Sequence, residues 1–295
     1  VIFAYNRPKH LSNLLDSLIL NKSSRLSKIF FFCDGPKNEY DKRKISEIKN
    51  LLKTKKIRIH YKTFRKTNSG LSKNIIQGVS KVLNKYKSCI ILEDDLILNE
   101  KCIKFMNVML EKFSNVESIG SVSAHSYIDE FKYKKKFNFY FTKRHSSWCW
   151  GTWSRVWKKI EWNSKSINSH FTSKTSLRKF SEGGNDLNLL LWGNYKKIIN
   201  SWAIRFNFYC MKKSLKSIQP RLSMIKNDGR DFSGTHEKFT LKTKKKFNFK
   251  PKLGSLDYIL KKTLDNKDID FYIKNSHRRS VKLSIKYFFE NFKII

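Results

Sequence analysis

Glu93, Asp94 and Asp95 stand side by side after an apolar run, Ser88-Cys89-Ile90-Ile91-Leu92, and Leu96-Ile97-Leu98 follows at once. Three adjacent carboxylates repel one another, which raises their pKa values unless a cation or hydrogen-bond donors hold them ionised. A bound divalent metal would remove that penalty. A solvated acidic turn or a helix N-terminus would tolerate the same residues without one. The apolar run reads as a strand buried on both faces, the kind found in parallel sheets flanked by helices. The acids then cap its carboxyl end, the edge where open α/β sheets bind ligands.

The preceding sequence supplies the rest of such a sheet. Residues 1–5 read as a buried strand, and Asn6-Arg7-Pro8 as a turn whose proline enters a helix carrying Leu11, Leu14, Leu15, Leu18 and Ile19. Residues 29–33 form a second strand ending at Asp34-Gly35-Pro36, followed by a lysine-rich helix over 39–53. Alternation over 57–61 predicts a third strand. Asn68-Ser69-Gly70 then makes a turn before a helix with Leu71, Ile75, Val79, Val82 and Leu83. This βαβαβαβ order predicts a doubly wound parallel sheet with right-handed crossovers. No glycine-rich phosphate fingerprint follows the first strand, which disfavours a standard dinucleotide-binding domain. Asn6, Arg7, Asp34, Asn68 and Lys73 nevertheless follow the first three strands as the acids follow the fourth. Singly each suits a cap or turn; together they line one edge.

Beyond the acids, 102–113 reads as a helix, 119–122 as a strand, 129–136 as a charged loop and 137–141 as an alternating strand. Trp148, Trp150, Trp153, Trp157 and Trp162 form a cluster around Gly151. Trp153 and Trp157 share a helical face, which suits a core, and such rings also serve as platforms for a sugar. The glycine between them suggests close backbone approach. Gly183-Gly184-Asn185-Asp186 opens a helix through Leu187, Leu190, Leu191 and Tyr195, and Ser201-Trp202-Ala203-Ile204-Arg205-Phe206 follows. The loop 227–236 is rich in Gly, Ser and Asp, the composition of a surface loop or of one that orders over a ligand. Residues 242–252 read as a basic linker. Val281, Ile285, Phe288, Phe289 and Phe292 make an apolar stripe among lysines, suited to packing on the domain or to lying on an anionic membrane surface.

The 295 residues include 40% hydrophobic and 14% aromatic side chains, which excludes a largely disordered chain. Lys and Arg number 62 against 24 Asp and Glu, a formal charge of +38. Such an excess attracts nucleic acid, anionic membrane or phosphorylated substrates. The cations are spread along the whole chain and are mostly lysine, so the charge singles out none of these. A basic nucleic-acid-binding protein is one alternative function, without a zinc-finger, RRM or helix-turn-helix signature to support it. Five cysteines without a C-x-x-C pair suit a reduced cytoplasmic chain. No apolar segment reaches membrane-spanning length. The chain opens without Met inside its first strand, so a few residues are expected to precede it.

Several segments in order resemble bacterial glycosyltransferases of the GT-A fold: Phe3-Ala4-Tyr5-Asn6-Arg7-Pro8, Asp34, Asn68-Ser69-Gly70-Leu71-Ser72, Glu93-Asp94-Asp95, the tryptophans from 148 to 157, Ser201-Trp202-Ala203-Ile204-Arg205 and Ser233-Gly234-Thr235-His236. The resemblance spans roughly 1–240 and points to enzymes akin to N-acetylglucosaminyltransferase I and to glycosyltransferase family 2. It implies a Rossmann-like, mostly parallel sheet flanked by helices, with a nucleotide-sugar-binding half over 1–125, a smaller acceptor-side half over 126–240 and a basic tail with amphipathic helices over 241–295. It also implies an inverting transferase that uses Mn²⁺ or Mg²⁺ and a nucleotide-diphospho-sugar donor. The acceptor would be a saccharide, free or lipid-linked, of a surface polysaccharide such as lipopolysaccharide or capsule. The enzyme would be cytoplasmic or peripheral on the inner membrane through its tail, with no specific nucleic acid as partner.

Carried onto this chain, the resemblance implies donor contacts from Ala4, Asn6, Arg7, Asp34, Asn68, Gly70, Lys73, Glu93 and Asp94. Asp34 would meet the nucleobase, Glu93 and Asp94 the ribose or donor sugar. Asp95 would hold the metal, with His236 as a second contact to metal or phosphate. Trp150, Gly151, Trp153, Trp202 and Arg205 would face the acceptor. Relatives place an Asp just before the Ser-Trp-Ala-Ile-Arg segment as general base, and this chain has Asn200 there. Asn accepts no proton. Either a displaced carboxylate, Asp186 or Asp231, takes over, or the enzyme is slow, or the chain is a degenerate transferase that binds its donor without turnover.

Overall fold

Four apolar runs become parallel neighbours at the heart of a computed structural model that describes residues 1–128, 138–162, 167–229, 263–264 and 267–276. They are β1 (Ile2–Ala4), β2 (Phe30–Cys33), β3 (Tyr61–Phe64) and β4 (Ser88–Glu93), with β1 between β2 and β4 and β3 outermost. Helices α1 (Pro8–Leu20), α2 (Glu39–Thr54) and α3 (Leu71–Leu83) cross over between them. Leu11, Leu14, Leu15 and Leu18 of α1 and Ile75, Val79 and Val82 of α3 are buried, the spacing expected of helices that lay one stripe on a sheet. The third strand lies further along than alternation predicts: only its continuation at 61–64 meets β2, whose own ladder begins at Phe30.

The sheet continues past β4 with a change of direction. β8 (Trp150–Trp153) runs antiparallel to β4, and β6 (Ile119–Ser123) antiparallel to β8, so β6 points the same way as β4. Then come β9 (Lys216–Pro220), β7 (Phe139–Thr142) and β11 (Thr263–Leu264), completing nine strands. Five of the eight pairings are parallel, as expected for an α/β sheet flanked by helices. β5 (Leu96–Leu98) leaves the sheet and pairs with β10 (Ile225–Asn227) in a separate two-stranded ribbon. Trp153 therefore closes a strand instead of sharing a helical face with Trp157. Only a short turn of helix, α5 (Ser154–Trp157), follows it.

The remaining helices cover this second part: α4 (Cys102–Lys112), α6 (Ile167–Thr172), α7 (Lys174–Ser181), α8 (Leu187–Tyr195), α9 (Trp202–Lys212) and α10 (Lys267–Ser276). Ile167, Phe180, Leu187, Leu191, Ile204 and Phe208 form a satellite core beneath them. Ile269 and Ile273 of α10 bury against Ile128 and Tyr140, so part of the basic tail packs on the sheet. The stripe from 281 to 292 lies outside the described residues. None of the five cysteines is bonded, and the Cys102 and Cys149 Sγ atoms approach to 3.5 Å.

A polar knot ties β6 to β9. The buried His145 ring meets Ser121 Oγ at 2.6 Å and the Leu215 carbonyl at 3.3 Å, and Ser121 Oγ donates to Ser217 Oγ at 2.9 Å. Burial pushes the imidazole down to about 4 from the usual 6.5. The unfolded chain therefore takes up this proton first. Its contribution to stability is complete above pH 6.5 and is lost as pH falls toward 4, by roughly 3 kcal/mol in total. His170, buried against Phe180 and Phe208, is lowered too. Urea unfolding at a series of pH values is expected to show this acid loss, and His145→Gln to flatten it between pH 6.5 and 4.

Candidate active site

Because β1 to β4 run parallel, their carboxyl ends and the polar turns that follow them fall on one edge. β4 stops at Glu93, and Asp94 and Asp95 form a turn before β5. Two-residue alternation consequently does not continue through the acids, and Asp94 and Asp95 reach the same guanidinium. Arg7 Nη2 donates to Asp94 Oδ1, and Arg7 Nη1 to Asp95 Oδ2 at 3.3 Å. The Tyr5 amide donates to Asp94 Oδ2 at 3.1 Å. Asp94 is thereby enclosed, its side chain 4% exposed, whereas that of Asp95 is 16% exposed.

One cation among three acids leaves negative charge over. Burial, then Asp95 and Asp94, push the Glu93 carboxyl up to about 8. Burial raises Asp94 as well, opposed by Arg7. Desolvation alone would lower Arg7, but Asp94 and Asp95 outweigh it and raise the guanidinium. A hard divalent cation suits this donor set. Among the described residues no cluster of three metal-ligating side chains forms. One or two carboxylates completed by phosphate and water are nonetheless the usual way Mg²⁺ is held. Asp95, whose side chain is more open than that of Asp94, could supply such a carboxylate.

Asp34 organises the neighbouring loop. Its Oδ1 accepts from the Gly35 and Ser69 amides, each at 2.9 Å, and from Ser69 Oγ at 3.1 Å; its Oδ2 accepts from the Gly70 amide at 2.9 Å. Asn68 Nδ2 donates to the Gly35 carbonyl at 2.9 Å. Gly70, at φ +82°, enters α3 through a conformation that other residues rarely adopt. The Asp34 amide in turn donates to the Ala4 carbonyl, joining the loop to β1. Asp34 is buried, so it shapes the loop from beneath. Lys73 stands exposed in the first turn of α3.

Asn6 is engaged by the first turn of α2: its Nδ2 donates to Asp41 Oδ1 at 2.7 Å. Asp41 also accepts from the Tyr5 hydroxyl and from the Lys37 amide. From sequence, Asp41 falls in a lysine-rich helix and is not singled out for this role. Its only signal is the position three residues after Asn38, whose side chain caps α2 by accepting the Asp41 amide.

The ribbon of β5 and β10 roofs the acids. The Asp228 amide donates to the Asp95 carbonyl at 2.7 Å, and Asn13 Nδ2 donates to Asp228 Oδ2 at 3.2 Å. A Cβ on Gly229 would lie 2.6 Å from Asp95 Oδ2 and 3.0 Å from Arg7 Nη1, so a larger residue there would push on the Arg7–Asp95 pair. Since β6 leaves and β8 enters at this same edge, His125 and Trp148 meet there, their rings 4.6 Å apart. Tyr127 lies 4.9 Å from His125, and Ser223 Oγ 3.4 Å from its Nδ1. Of these four only Trp148 was singled out from sequence, as one of the tryptophan cluster; His125, Tyr127 and Ser223 were not, because only the reversal of β8 brings them together.

The aromatic residues expected to face an acceptor lie in the core. Trp150 is fully buried, stacked on Trp202 at 4.7 Å; Trp153 donates its indole N–H to the Leu110 carbonyl at 2.9 Å. Gly151 admits Leu110 and the Cys89 carbonyl, so it is protein backbone that approaches closely. Asp186 forms a two-point ion pair with Arg144, at 2.7 and 2.8 Å, and is held as a structural partner. Asn200 is exposed, and its Oδ1 accepts from Arg205 Nη2 at 3.2 Å. The same guanidinium reaches Ser72 Oγ at the start of α3, which brings Asn200 and Arg205 beside the Asp34 loop. Asp231 and His236 lie outside the described residues.

A family model described as "Glycosyl transferase family 2" matches residues 1–177, which include β1 to β8 and every acid of the edge. Among solved structures, that of S. aureus TarS 1–349 is similar at 14% identity and a TM-score of 0.37, over 60% of this chain and 54% of that one. The chain thus spans about half the length of that relative. No curated protein matches it.

Removing the Asp34 carboxylate leaves buried amides without acceptors, at about 1–3 kcal/mol each. Asp34→Ala is expected to lower the urea midpoint markedly and to speed hydrogen exchange at the Ser69 and Gly70 amides. Unchanged exchange at both would contradict the organising role.

Proposed function

This chain belongs to glycosyl transferase family 2, and from that premise we propose that it moves a hexose or N-acetylhexosamine from a nucleotide-diphospho-sugar to a saccharide acceptor with inversion. The observation that carries the reading is the Arg7-bridged pair Asp94 and Asp95 at the end of β4, flanked by the Asp34-held loop. The fixed loop, the N-terminus of α3 and the exposed Lys73 suit the anionic part of the donor. Asp94, enclosed by Tyr5 and Arg7, positions the turn. A Mn²⁺ or Mg²⁺ ion held by Asp95 would stabilise the charge that builds on the departing diphosphate. Arg7, already at the acids, is placed to share that charge.

In the transfer an acceptor hydroxyl oxygen bonds to the anomeric carbon, the bond to the diphosphate breaks, and the hydroxyl proton passes to a base. His125, Tyr127 and Trp148 offer partly apolar rings at the edge for the acceptor. Among the described carboxylates Asp186 is engaged by Arg144, and Asn200 accepts no proton. That observation favours the second reading, a transferase that binds donor and turns over slowly or not at all. A role in surface polysaccharide synthesis on a lipid-linked acceptor, at the cytoplasmic face of a membrane, completes the proposal. No helix among the described residues is long and apolar enough to cross a membrane.

Calorimetry with UDP, GDP and dTDP is expected to show binding of one of them strengthened by Mn²⁺ and weakened about tenfold or more by Asp95→Ala. Indifference to both metal and substitution would remove the basis of the reading. For the base, Asn200→Asp is expected to raise the transfer rate by about a hundredfold. An unchanged rate would show that position 200 is not where the proton goes.

A further inference from the structure

A groove of about 180 Å³ opens between the 159–161 turn and one face of α9, lined by Lys159, Glu161, Arg205, Phe208, Tyr209, Lys212 and Lys213. Four cations face one acid. Lys212 and Lys213 sit at the C-terminus of α9, where the helix dipole favours them without any ligand. Arg205, in the first turn of α9, has no such dipole to favour it, and the one π face beside it is the Trp162 ring, 5.8 Å away at its centroid. It is half-buried, and its donors go to the Ser201 and Trp162 carbonyls, Ser72 Oγ and Asn200 Oδ1. All four are neutral, and among the described residues no carboxylate pairs with it. Half-buried guanidinium groups are normally matched by an anion, since an unmatched desolvated charge is costly. Desolvation accordingly lowers Arg205 with no acid to oppose it. Its head meanwhile reaches Ser72 and Asn200 at the transfer edge, so an anion in the groove would belong to something entering that edge.

Taking the transferase reading as its premise, we propose that this groove binds a phosphate group carried by the acceptor, with Arg205, Lys159 and Lys212 as its contacts. The cavity is small for a whole ligand and suits one charged group. A phosphorylated saccharide and a lipid headgroup both present this chemistry.

The test is equilibrium binding of inorganic phosphate to the full chain at low salt, followed by calorimetry. Its variants are Lys159→Ala with Lys212→Ala, Asp95→Ala, and, as a charge-matched control, Lys53→Ala with Lys56→Ala on the far α2 side. The proposal expects saturable binding that the first pair weakens about tenfold or more and that Asp95→Ala and the control pair leave unchanged. Absence of saturable binding overturns it. So does loss through Asp95→Ala but not through the groove lysines, which would put the phosphate at the donor edge, or equal loss in the control pair, which would reduce the effect to net charge. Because nucleotide binding depends on Asp95 and this binding does not, failure here is distinct from failure of the transferase reading. With phosphate binding established, phosphatidylcholine vesicles containing phosphatidylglycerol separate the sources. Groove-dependent vesicle binding assigns the headgroup; groove-dependent binding of a sugar phosphate without vesicle binding assigns a soluble acceptor.

Discussion

Everything at the carboxyl edge depends on how three acids are kept together at the end of a buried strand. Mutual repulsion and desolvation both oppose their ionisation, and Glu93 shows the result in a carboxyl pushed up to about 8. Arg7 answers part of this by bridging Asp94 and Asp95, and the Tyr5 amide answers another part. Arg7 is available because Pro8 starts α1 directly after it, fixing the residue between the end of β1 and the first helical turn. The sheet order then matters: β1 lies immediately beside β4, so the residue that leaves β1 faces the acids that leave β4.

A second anion, Asp34, does for the neighbouring loop what Arg7 does for the acids. Four donors converge on it, three of them backbone amides that would otherwise be unpaired. The loop between β3 and α3 is thereby held rigid, and Ser72, two residues beyond Gly70, connects it through Arg205 to α9. The Asp34 loop and α9 are thus tied together, by the loop's bonds to one buried carboxylate and by the Arg205 bond to Ser72. Asn200 hangs on the same guanidinium, through its Oδ1.

The parallel half was legible because its strands are short apolar runs bounded by turn residues, and each turn carries a polar group. The edge therefore emerged from Arg7, Asp34, Asn68 and the acids before any pairing was known. What escaped was reversal and direction. Trp150-Gly151-Thr152-Trp153 suited either a core or a platform for a sugar, with Trp153 on a helical face, and it is an antiparallel strand whose rings fill the core. Composition cannot distinguish those outcomes, since buried and sugar-facing tryptophans are the same residue. Asp34 and Asn6 suited a cap or turn as well as a ligand contact; the bonds the structure shows, Asp34 to the loop amides and Asn6 to Asp41, are long-range contacts that no local pattern carries. His125, Trp148 and Ser223 come together only through strand order, which no local pattern encodes.

The account stands on the claim that Asp95 presents its carboxylate to a divalent cation jointly with a nucleoside diphosphate. Electron paramagnetic resonance of Mn²⁺ tests that directly. Loss of the free-ion signal is predicted when the protein and the nucleoside diphosphate are present together beyond what the nucleotide alone removes, and the Asp95→Ala chain is predicted to remove no more than the nucleotide does. Equal loss of signal with the Asp95→Ala chain would contradict the account.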